Sequence, residues 1–148
     1  MAALEIREIG DSDTNDLATL WERCGLTRPW NDPDADIAFA RTNDNSTVLG
    51  GWIGDALVAS AMVGHDGHRG TVYYVSVDPA HQGSGVGRTI MEAAEDWLRG
   101  RGVWKLNLMV RASNTRVIDF YRSLDYETEE RANMSKWLDP ARRPAQED

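Results

Sequence analysis

The sequence predicts an α+β fold, in which a mixed, mostly antiparallel twisted sheet of six to seven strands is flanked by about four helices. Two strand-like runs, Thr47–Ile53 and Ala56–Gly64, are joined by Gly54-Asp55, a dipeptide typical of a two-residue hairpin turn. Other stretches have the apolar spacing of amphipathic helices. Residues 71–110 follow a strand, helix, strand order that is long enough for a crossover between parallel neighbours, so we expect a mixed sheet.

The chain begins with one predicted strand and two predicted helices. Apolar residues at positions 4, 6 and 9 indicate the strand. The first helix begins after a cap at Asp11 or Ser12 and ends at Gly25. Its apolar residues recur at i, i+3, i+4 and i+7, and they are Leu17, Leu20, Trp21 and Cys24. A proline-stiffened connector, residues 28–33, leads to a second helix from near Pro33 to Arg41.

Strands and helices alternate along the rest of the chain. Thr71–Val77 is the most β-prone segment and is expected to be a central strand. A helix that ends at Gly100 presents an apolar face formed by Val86, Ile90, Ala93, Ala94, Trp97 and Leu98. Lys105–Val110 reads as the next strand. A short predicted helix follows, and its apolar face contains Val117, Phe120, Tyr121 and Leu124. Strand-like stretches over Tyr126–Glu129 and Asn133–Leu138 complete the expected sheet.

Composition limits the class of protein. With 148 residues, of which 41% are hydrophobic and 27% charged, the chain is expected to form one domain over residues 1–139, followed by a polar, flexible tail over 140–148. Cys24 is the only cysteine, which excludes an internal disulfide, and no metal site is implied. The net charge of −8 disfavours nucleic acid and anionic membranes as partners. Because the first residues carry neither a basic leader nor an apolar run, we expect a cytoplasmic location.

The stretch Gln82-Gly83-Ser84-Gly85-Val86-Gly87-Arg88 joins a predicted strand to the first turn of a predicted helix. The first amides of a helix lack intrahelical partners and together carry about half a positive charge, and glycines let phosphates approach closely. Arg88 opposes the helix dipole, a small cost that a bound anion would offset. The stretch matches neither the Rossmann nor the Walker pattern. It predicts a pyrophosphate site, with a glycine connector without a ligand as the alternative.

Two residues of the short helix have both a structural and a functional interpretation. Asn114 lies at its N-terminus, where asparagine is ordinarily a cap. Tyr121 lies two turns further on, and it could be a core residue with its hydroxyl at the rim. Neither residue alone indicates catalysis.

Together these motifs resemble the GNAT superfamily of acetyl-CoA-dependent N-acetyltransferases. Gln82-x-x-Gly85-x-Gly87 follows a strand, Asn114 comes about thirty residues later, and Tyr121 stands seven positions beyond Asn114. The resemblance extends over nearly the whole chain in the order of elements. Two loops, residues 28–33 and 66–70, further resemble the small bacterial YpeA-type acetyltransferases.

The resemblance implies an enzyme that transfers an acetyl group from acetyl-CoA to a primary amine by direct attack. The backbone of three strand residues would pair with the pantetheine arm, namely Val75, Ser76 and Val77. The residues assigned to the pyrophosphate loop are Gln82, Gly83, Ser84, Gly85, Val86, Gly87 and Arg88. Asn114 would bond the coenzyme, and Tyr121 would reach the sulfur and act as the general acid. The Val75 amide could polarise the thioester carbonyl.

The role of general acid suits Tyr121. A phenol has a pKa of about 10 and a thiol about 8.5, so proton transfer is feasible in a water-excluded site.

The resemblance leaves the general base open. In ribosomal-protein alanine acetyltransferases, which share a run like residues 110–114, a glutamate usually stands at the position of Met109. Methionine cannot accept a proton, which argues against that substrate class. The candidates that remain, acting through water, are His65, Asp66, His68 and Tyr73.

The acceptor pocket is also assigned through the resemblance. Four residues are expected to bind the amine substrate, namely Arg28, Trp30, Asn31 and His68. Trp30 could equally plug the core, and Asn31 or Asp32 could cap the second helix. Asp125 stands where the superfamily usually has glycine. Because aspartate tolerates the left-handed conformation, we expect altered local geometry with the fold retained.

Two other functions share the same sequence features. A non-catalytic acyl-CoA sensor would need the same loop, and only turnover separates it from an enzyme. A regulator could instead bind a partner protein through the loop around Trp30. Sheet edges and exposed aromatic residues would also allow a homodimer.

Overall fold

The computed structural model describes residues 3–145, which contain four α-helices and four strands. The helices are α1 (Thr14–Arg23), α2 (Pro33–Arg41), α3 (Val86–Arg99) and α4 (Thr115–Ser123). The strands are β1 (Leu4–Glu8), β2 (Ser46–Ile53), β3 (Ala56–His65) and β4 (Gly70–Val77). They form one antiparallel sheet in the order β1-β2-β3-β4. No helix in this part of the chain is long and apolar enough to cross a membrane.

By packing, the described chain divides into two compact units. The larger unit contains residues 3–27 and 31–108, and with them the sheet and helices α1 to α3. The smaller unit contains residues 28–30 and 109–145, and with them α4. The prediction of a single N-acetyltransferase domain over residues 1–139 remains a prediction. Of the predicted tail, Pro140–Arg142 forms one 3-10 turn, and residues 146–148 lie outside the described chain.

The hairpin between β2 and β3 is confirmed, with Gly54 in its turn at a φ of +60°. That positive φ is the reason for glycine at this position. Side chains from Thr47 to Trp52 are buried without interruption. Since alternate residues of a strand face opposite sides, β2 is covered on both faces.

Helices cover the two faces of this sheet. On one face, apolar residues of α1 and α2 form a core with β2 and β3, made by Ile9, Leu17, Leu20, Trp21, Ile37, Ala40, Val48, Trp52 and Leu57. On the other face, α3 packs across the strands with its buried residues Val86, Ile90, Met91, Ala94 and Leu98. The predicted apolar face of α3 is therefore confirmed in most positions, and it also includes Met91.

The prediction of a mixed sheet of six to seven strands is wrong for the described chain. The segment predicted as a strand over Lys105–Val110 makes a single parallel bridge, between Gly70 and Leu106. The stretches predicted as strands near residues 126–129 and 133–138 form no strand, and residues 127–139 are exposed. Strands are stabilised by ladder bonds and by one buried face, and β-propensity alone supplies neither.

Candidate functional site

The glycine loop between β4 and α3 takes the conformation that its sequence requires. Gly83 has a φ of +79° and Gly85 a φ of +86°, a left-handed region that other residues seldom adopt. A Cβ built at either position would meet nothing within 4 Å. The two glycines are therefore required by backbone conformation, and the space beside the loop is open to a ligand.

The first turn of α3 has no side-chain cap for its amides. Gly85 is the N-cap and has no side chain to bond them, and the first turn contains no acidic residue. The Thr89 N–H donates to the Gly85 carbonyl at 3.1 Å. Val86 is buried and anchors the helix start, whereas Arg88 is exposed. This arrangement suits an anion, because the partial positive charge at a helix N-terminus is not neutralised by a side chain.

Side chains also attach the loop to the end of β4. The Gln82 Nε2 donates to the Val77 carbonyl at 3.2 Å, and the Ser84 hydroxyl donates to the His81 carbonyl. The Cys24 thiol donates to the same Val77 carbonyl at 3.3 Å. Burial raises the pKa of this thiol, so it stays protonated as a donor. The Val77 oxygen thus already has two donors, and a pantetheine arm would have to use other backbone groups of the strand.

A β-bulge interrupts β4 at the residues predicted to meet the pantetheine arm. Ser60 pairs with Ser76 and Met62 pairs with Tyr73, so that Ala61 alone faces both Tyr74 and Val75. Tyr74 has a φ of +51°, a strained value for a bulky residue. Among the four sheet strands β4 is at the edge. The strained peptide therefore lies next to Val75, whose amide is the candidate donor to an acyl carbonyl.

A buried polar network surrounds this bulge, and the sequence did not indicate it. The Tyr74 hydroxyl donates to Asp36 Oδ2 at 2.6 Å, and its ring stacks on Trp21 with centroids 3.8 Å apart. The Trp21 Nε1 donates to Ser60 Oγ at 2.9 Å. Burial, together with the bond to Asp36, raises the pKa of Tyr74 above its ordinary value. Serines and tyrosines are common in strands, so no sequence signal separated these residues from ordinary ones.

Helix α4 presents the predicted asparagine and tyrosine in the smaller unit. The Asn114 side-chain oxygen accepts from the Val117 N–H at 3.3 Å, so it caps the helix and only its amide group is left to donate to a ligand. Tyr121 is buried, with its ring edge-to-face against Phe120 at 5.1 Å and Tyr126 at 5.6 Å. Burial raises the pKa of Tyr121 to about 12, which keeps its hydroxyl protonated.

Asp125 follows the end of the same helix, and it takes a glycine-like conformation in place of the expected altered geometry. Its φ is +71°, the conformation for which glycine is usual. Its N–H donates to the Arg122 carbonyl at 3.0 Å, and the Tyr126 N–H donates to the Tyr121 carbonyl at 3.0 Å. The aspartate therefore supports a glycine-like helix end, and the turn is retained.

The candidate bases around the β3–β4 turn differ in their partners. Asp66 Oδ1 accepts from the His68 and Arg69 amides at 2.9 and 2.8 Å, and these bonds hold the pKa of Asp66 below its ordinary value. The His65 Nδ1 accepts from the Gly67 N–H at 3.1 Å. His68 and Tyr73 are exposed. Asp66 is thus held by the turn and is a weaker base than an ordinary aspartate, and a base role for any of the four residues stays a prediction.

The residues assigned to the acceptor pocket belong to both units. Arg28 and Trp30 are half-buried in the smaller unit, while Asn31 and His68 are exposed in the larger one. Asp32, rather than Asn31, caps α2, accepting from the amides of residues 34 and 35. The larger unit thus brings together the glycine loop, the end of β4 and the bulge. The smaller unit holds Asn114 and Tyr121.

Comparison with known sequences gives the chain clear relatives. Residues 14–126 match the family described as the acetyltransferase (GNAT) family. An acetyltransferase of Yersinia enterocolitica is 42% identical over 135 residues, which cover 91% of this chain and 96% of that protein. An acetyltransferase of Sodalis glossinidius is 42% identical over 127 residues, which cover 86% of this chain and 89% of the relative. The closer likeness to YpeA-type enzymes stays a prediction.

Solved structures share the fold. The ribosomal-protein-S18-alanine N-acetyltransferase from Escherichia coli aligns with a TM-score of 0.71 at 27% identity, covering 82% of this chain and 76% of that one. An aminoglycoside N-acetyltransferase, AAC(6')-Iy, in complex with CoA aligns with a TM-score of 0.82 at 15% identity, covering 93% of this chain and 97% of that one. At that identity the second likeness concerns the fold alone.

Proposed function

Because the chain belongs to the acetyltransferase (GNAT) family, we propose that it transfers an acetyl group from acetyl-CoA to a primary amine by direct attack. The family establishes an acyltransferase. The donor, the kind of acceptor and the catalytic residues form the proposal. When bound, acetyl-CoA supplies an activated acetyl thioester. The residues of this chain would bind the coenzyme, direct the amine and move protons.

The observation that supports coenzyme binding best is the open glycine loop before α3. The positive φ values of Gly83 and Gly85, the absence of a capping side chain and the open space beside both glycines suit a pyrophosphate. The residues proposed to hold it are Gln82, Gly83, Ser84, Gly85, Val86, Gly87 and Arg88. The backbone of Val75–Val77 is proposed to pair with the pantetheine arm as an added strand, which the edge position of β4 supports.

Proton transfer is assigned to Tyr121. The leaving thiolate needs a proton, and a buried tyrosine whose pKa is about 12 carries one at neutral pH. A thiol in water has a pKa of about 8.5, so the transfer is unfavourable unless the thiolate is equally desolvated. Desolvation raises the pKa of both groups, because burial disfavours each charged form. We therefore propose that Tyr121 works as an acid only with water excluded, while Asn114 bonds the coenzyme.

The acceptor is proposed to be a primary amine on a small molecule or a protein. The net charge of −8 attracts a cationic amine, which must lose a proton before it attacks. Arg28, Trp30, Asn31 and His68 are proposed to contact it. At the position where the alanine acetyltransferases usually have a glutamate this chain has Met109, so we propose a different acceptor class.

The first test is calorimetric titration with acetyl-CoA, followed by thiol release against a panel of amines in the same buffer. Binding together with amine-dependent thiol release supports the proposal, and the responsive amine defines the acceptor class. Binding without release from any amine would favour a non-catalytic acyl-CoA sensor. An absence of binding would reject the coenzyme site itself.

A further inference from the structure

One buried hydroxyl, that of Ser60, bonds the backbone of the bulge in β4. Ser60 is fully buried on β3, and its oxygen contacts three polar groups. Those groups are the Trp21 Nε1 at 2.9 Å, the Tyr74 carbonyl oxygen at 2.8 Å and the Ser76 hydroxyl at 2.7 Å. An alcohol can donate one hydrogen bond and accept two, so all three contacts can be satisfied at once.

The chemistry of the partners decides which group donates. The Trp21 indole N–H can only donate, and the Tyr74 carbonyl can only accept. The Ser60 hydroxyl must therefore accept a hydrogen bond from the Trp21 N–H and donate its own hydrogen bond to the Tyr74 carbonyl. The Ser76 hydroxyl is then left to donate to Ser60. The directions of these three hydrogen bonds are therefore fixed, and the Tyr74 carbonyl accepts from Ser60.

The Tyr74 carbonyl and the Val75 N–H belong to one peptide unit. A trans peptide is planar, and its C=O and N–H point in opposite directions. Because Ser60 holds the carbonyl, the Val75 N–H is directed away from Ser60 and from the buried network. This peptide follows a tyrosine at a φ of +51°, a conformation that persists only where surrounding contacts impose it.

We propose that Ser60 is a positioning residue that sets the direction of the Val75 N–H for the acyl carbonyl of acetyl-CoA. This role rests on the proposed function. Two further contacts hold the same residue, since Trp21 of α1 stacks on the Tyr74 ring and Asp36 of α2 accepts from its hydroxyl at 2.6 Å. Ser60 touches no ligand in this scheme. It acts through the peptide that it holds.

The test is Ser60→Ala, with Thr47→Ala as the matched control. Thr47 is another buried hydroxyl residue, but it pairs with Val63 on β3 and lies outside the network. For Ser60→Ala we expect kcat to fall about tenfold to a hundredfold, because misdirecting an oxyanion donor should cost less than removing one, which lowers kcat by about a hundredfold to a thousandfold. The Kd for CoA, which lacks the acetyl carbonyl, should stay within about threefold. Thr47→Ala should keep the wild-type kcat, even if its melting temperature falls as much as that of Ser60→Ala.

A second readout does not depend on turnover. In the wild type, the amide resonance of Val75 should shift more with acetyl-CoA than with CoA, because only the first ligand carries the carbonyl. Ser60→Ala should lose that difference. If Ser60→Ala fails to fold, Ser60→Cys replaces it, since a thiol is a similar but much weaker donor and should give the same direction of change.

The outcomes separate this role from the proposed function. Wild-type kcat and an unchanged Val75 shift in the variant would overturn the role of Ser60 while leaving the acetyltransferase intact. A parallel loss of kcat and CoA affinity, matched by Thr47→Ala, would also overturn it, because that is the result of general destabilisation. Wild-type protein that fails to bind acetyl-CoA would reject the proposed function, and this role with it.

Discussion

Helices α3 and α4 both begin with a residue expected to contact the coenzyme, yet their N-termini are built differently. At α4, the Asn114 side chain caps the helix by accepting from the Val117 N–H at 3.3 Å. At α3, Gly85 takes a φ of +86° and offers no side chain, and the first turn has no acidic residue. The first turn of α4 therefore has a side-chain cap, and the first turn of α3 has none.

A side-chain cap contributes to stability, so its absence at α3 has a cost. Capping stabilises a helix by about 1 kcal/mol, and α2 also gains it through Asp32. A helix that lacks this stabilisation and is preceded by two left-handed glycines has a start better suited to a ligand than to stability. At α4 the cap already bonds a backbone amide, so we expect this helix to contribute to catalysis through its side chains. Tyr121 is the buried side chain of this helix.

The largest expected effect is on the uncapped helix. Gly85→Glu places a carboxylate beside the amides proposed to bind phosphate, so we expect the Kd for acetyl-CoA to rise more than a hundredfold, measured by calorimetry. The matched control is Gly54→Glu, which has the same charge and a φ of +60°, with open space around its Cβ position. The control should bind normally with a similar melting temperature. Equal binding by both variants would remove α3 from the coenzyme site.

At α4 the prediction concerns chemistry rather than binding. Tyr121→Phe removes the proposed acid, so kcat should fall by about a hundredfold or more while the Kd for acetyl-CoA changes only a few-fold. Tyr126→Phe is the control, since its ring contacts Tyr121 at 5.6 Å in the same unit. Thiol release is the measurement. Turnover that survives the loss of the Tyr121 hydroxyl would exclude this residue from the mechanism.

The burial of Tyr121 also predicts alkaline instability. Its pKa is raised to about 12, against about 10 for an unfolded tyrosine, so below pH 10 both states are protonated and its stabilisation is complete. Between pH 10 and 12 only the unfolded chain loses the proton, and the free energy of unfolding therefore falls as pH rises.

At pH 11 this loss amounts to about 1.4 kcal/mol. Urea unfolding at pH 9 and 11 should show a decline that is smaller by about that amount in Tyr121→Phe. Tyr126→Phe should retain the wild-type decline. An identical decline in all three proteins would mean that Tyr121 is not buried as described.

The smallest effect is expected at the cap itself. Asn114→Ala should lower the free energy of unfolding by about 1 kcal/mol, as should Asp32→Ala at α2. Only Asn114→Ala should also weaken acetyl-CoA binding a few-fold. Asn114→Asp keeps the capping oxygen and loses the amide donor, so it should restore stability and not affinity. Restored affinity in that variant would show that Asn114 serves only as a cap.

Much of the fold followed from local pattern. The hairpin at Gly54, the start of α2 at Pro33 and the α3 face all depend on neighbouring residues, and the structure confirms them. The count of strands did not follow. Residues 105–110 alternate in burial as a strand would, but only Leu106 forms a bridge, because a ladder needs a partner that local sequence cannot specify.

The glycine loop could be located from the sequence alone, because glycine permits the positive φ that Gly83 and Gly85 adopt. Only the tertiary structure decided the bulge at Tyr74. A tyrosine has no intrinsic preference for a φ of +51°, and it is held there by Trp21, Asp36 and Ser60, which are distant in sequence. The backbone preference of a residue can be predicted from its type, whereas a strained backbone conformation depends on tertiary contacts that the local sequence does not specify.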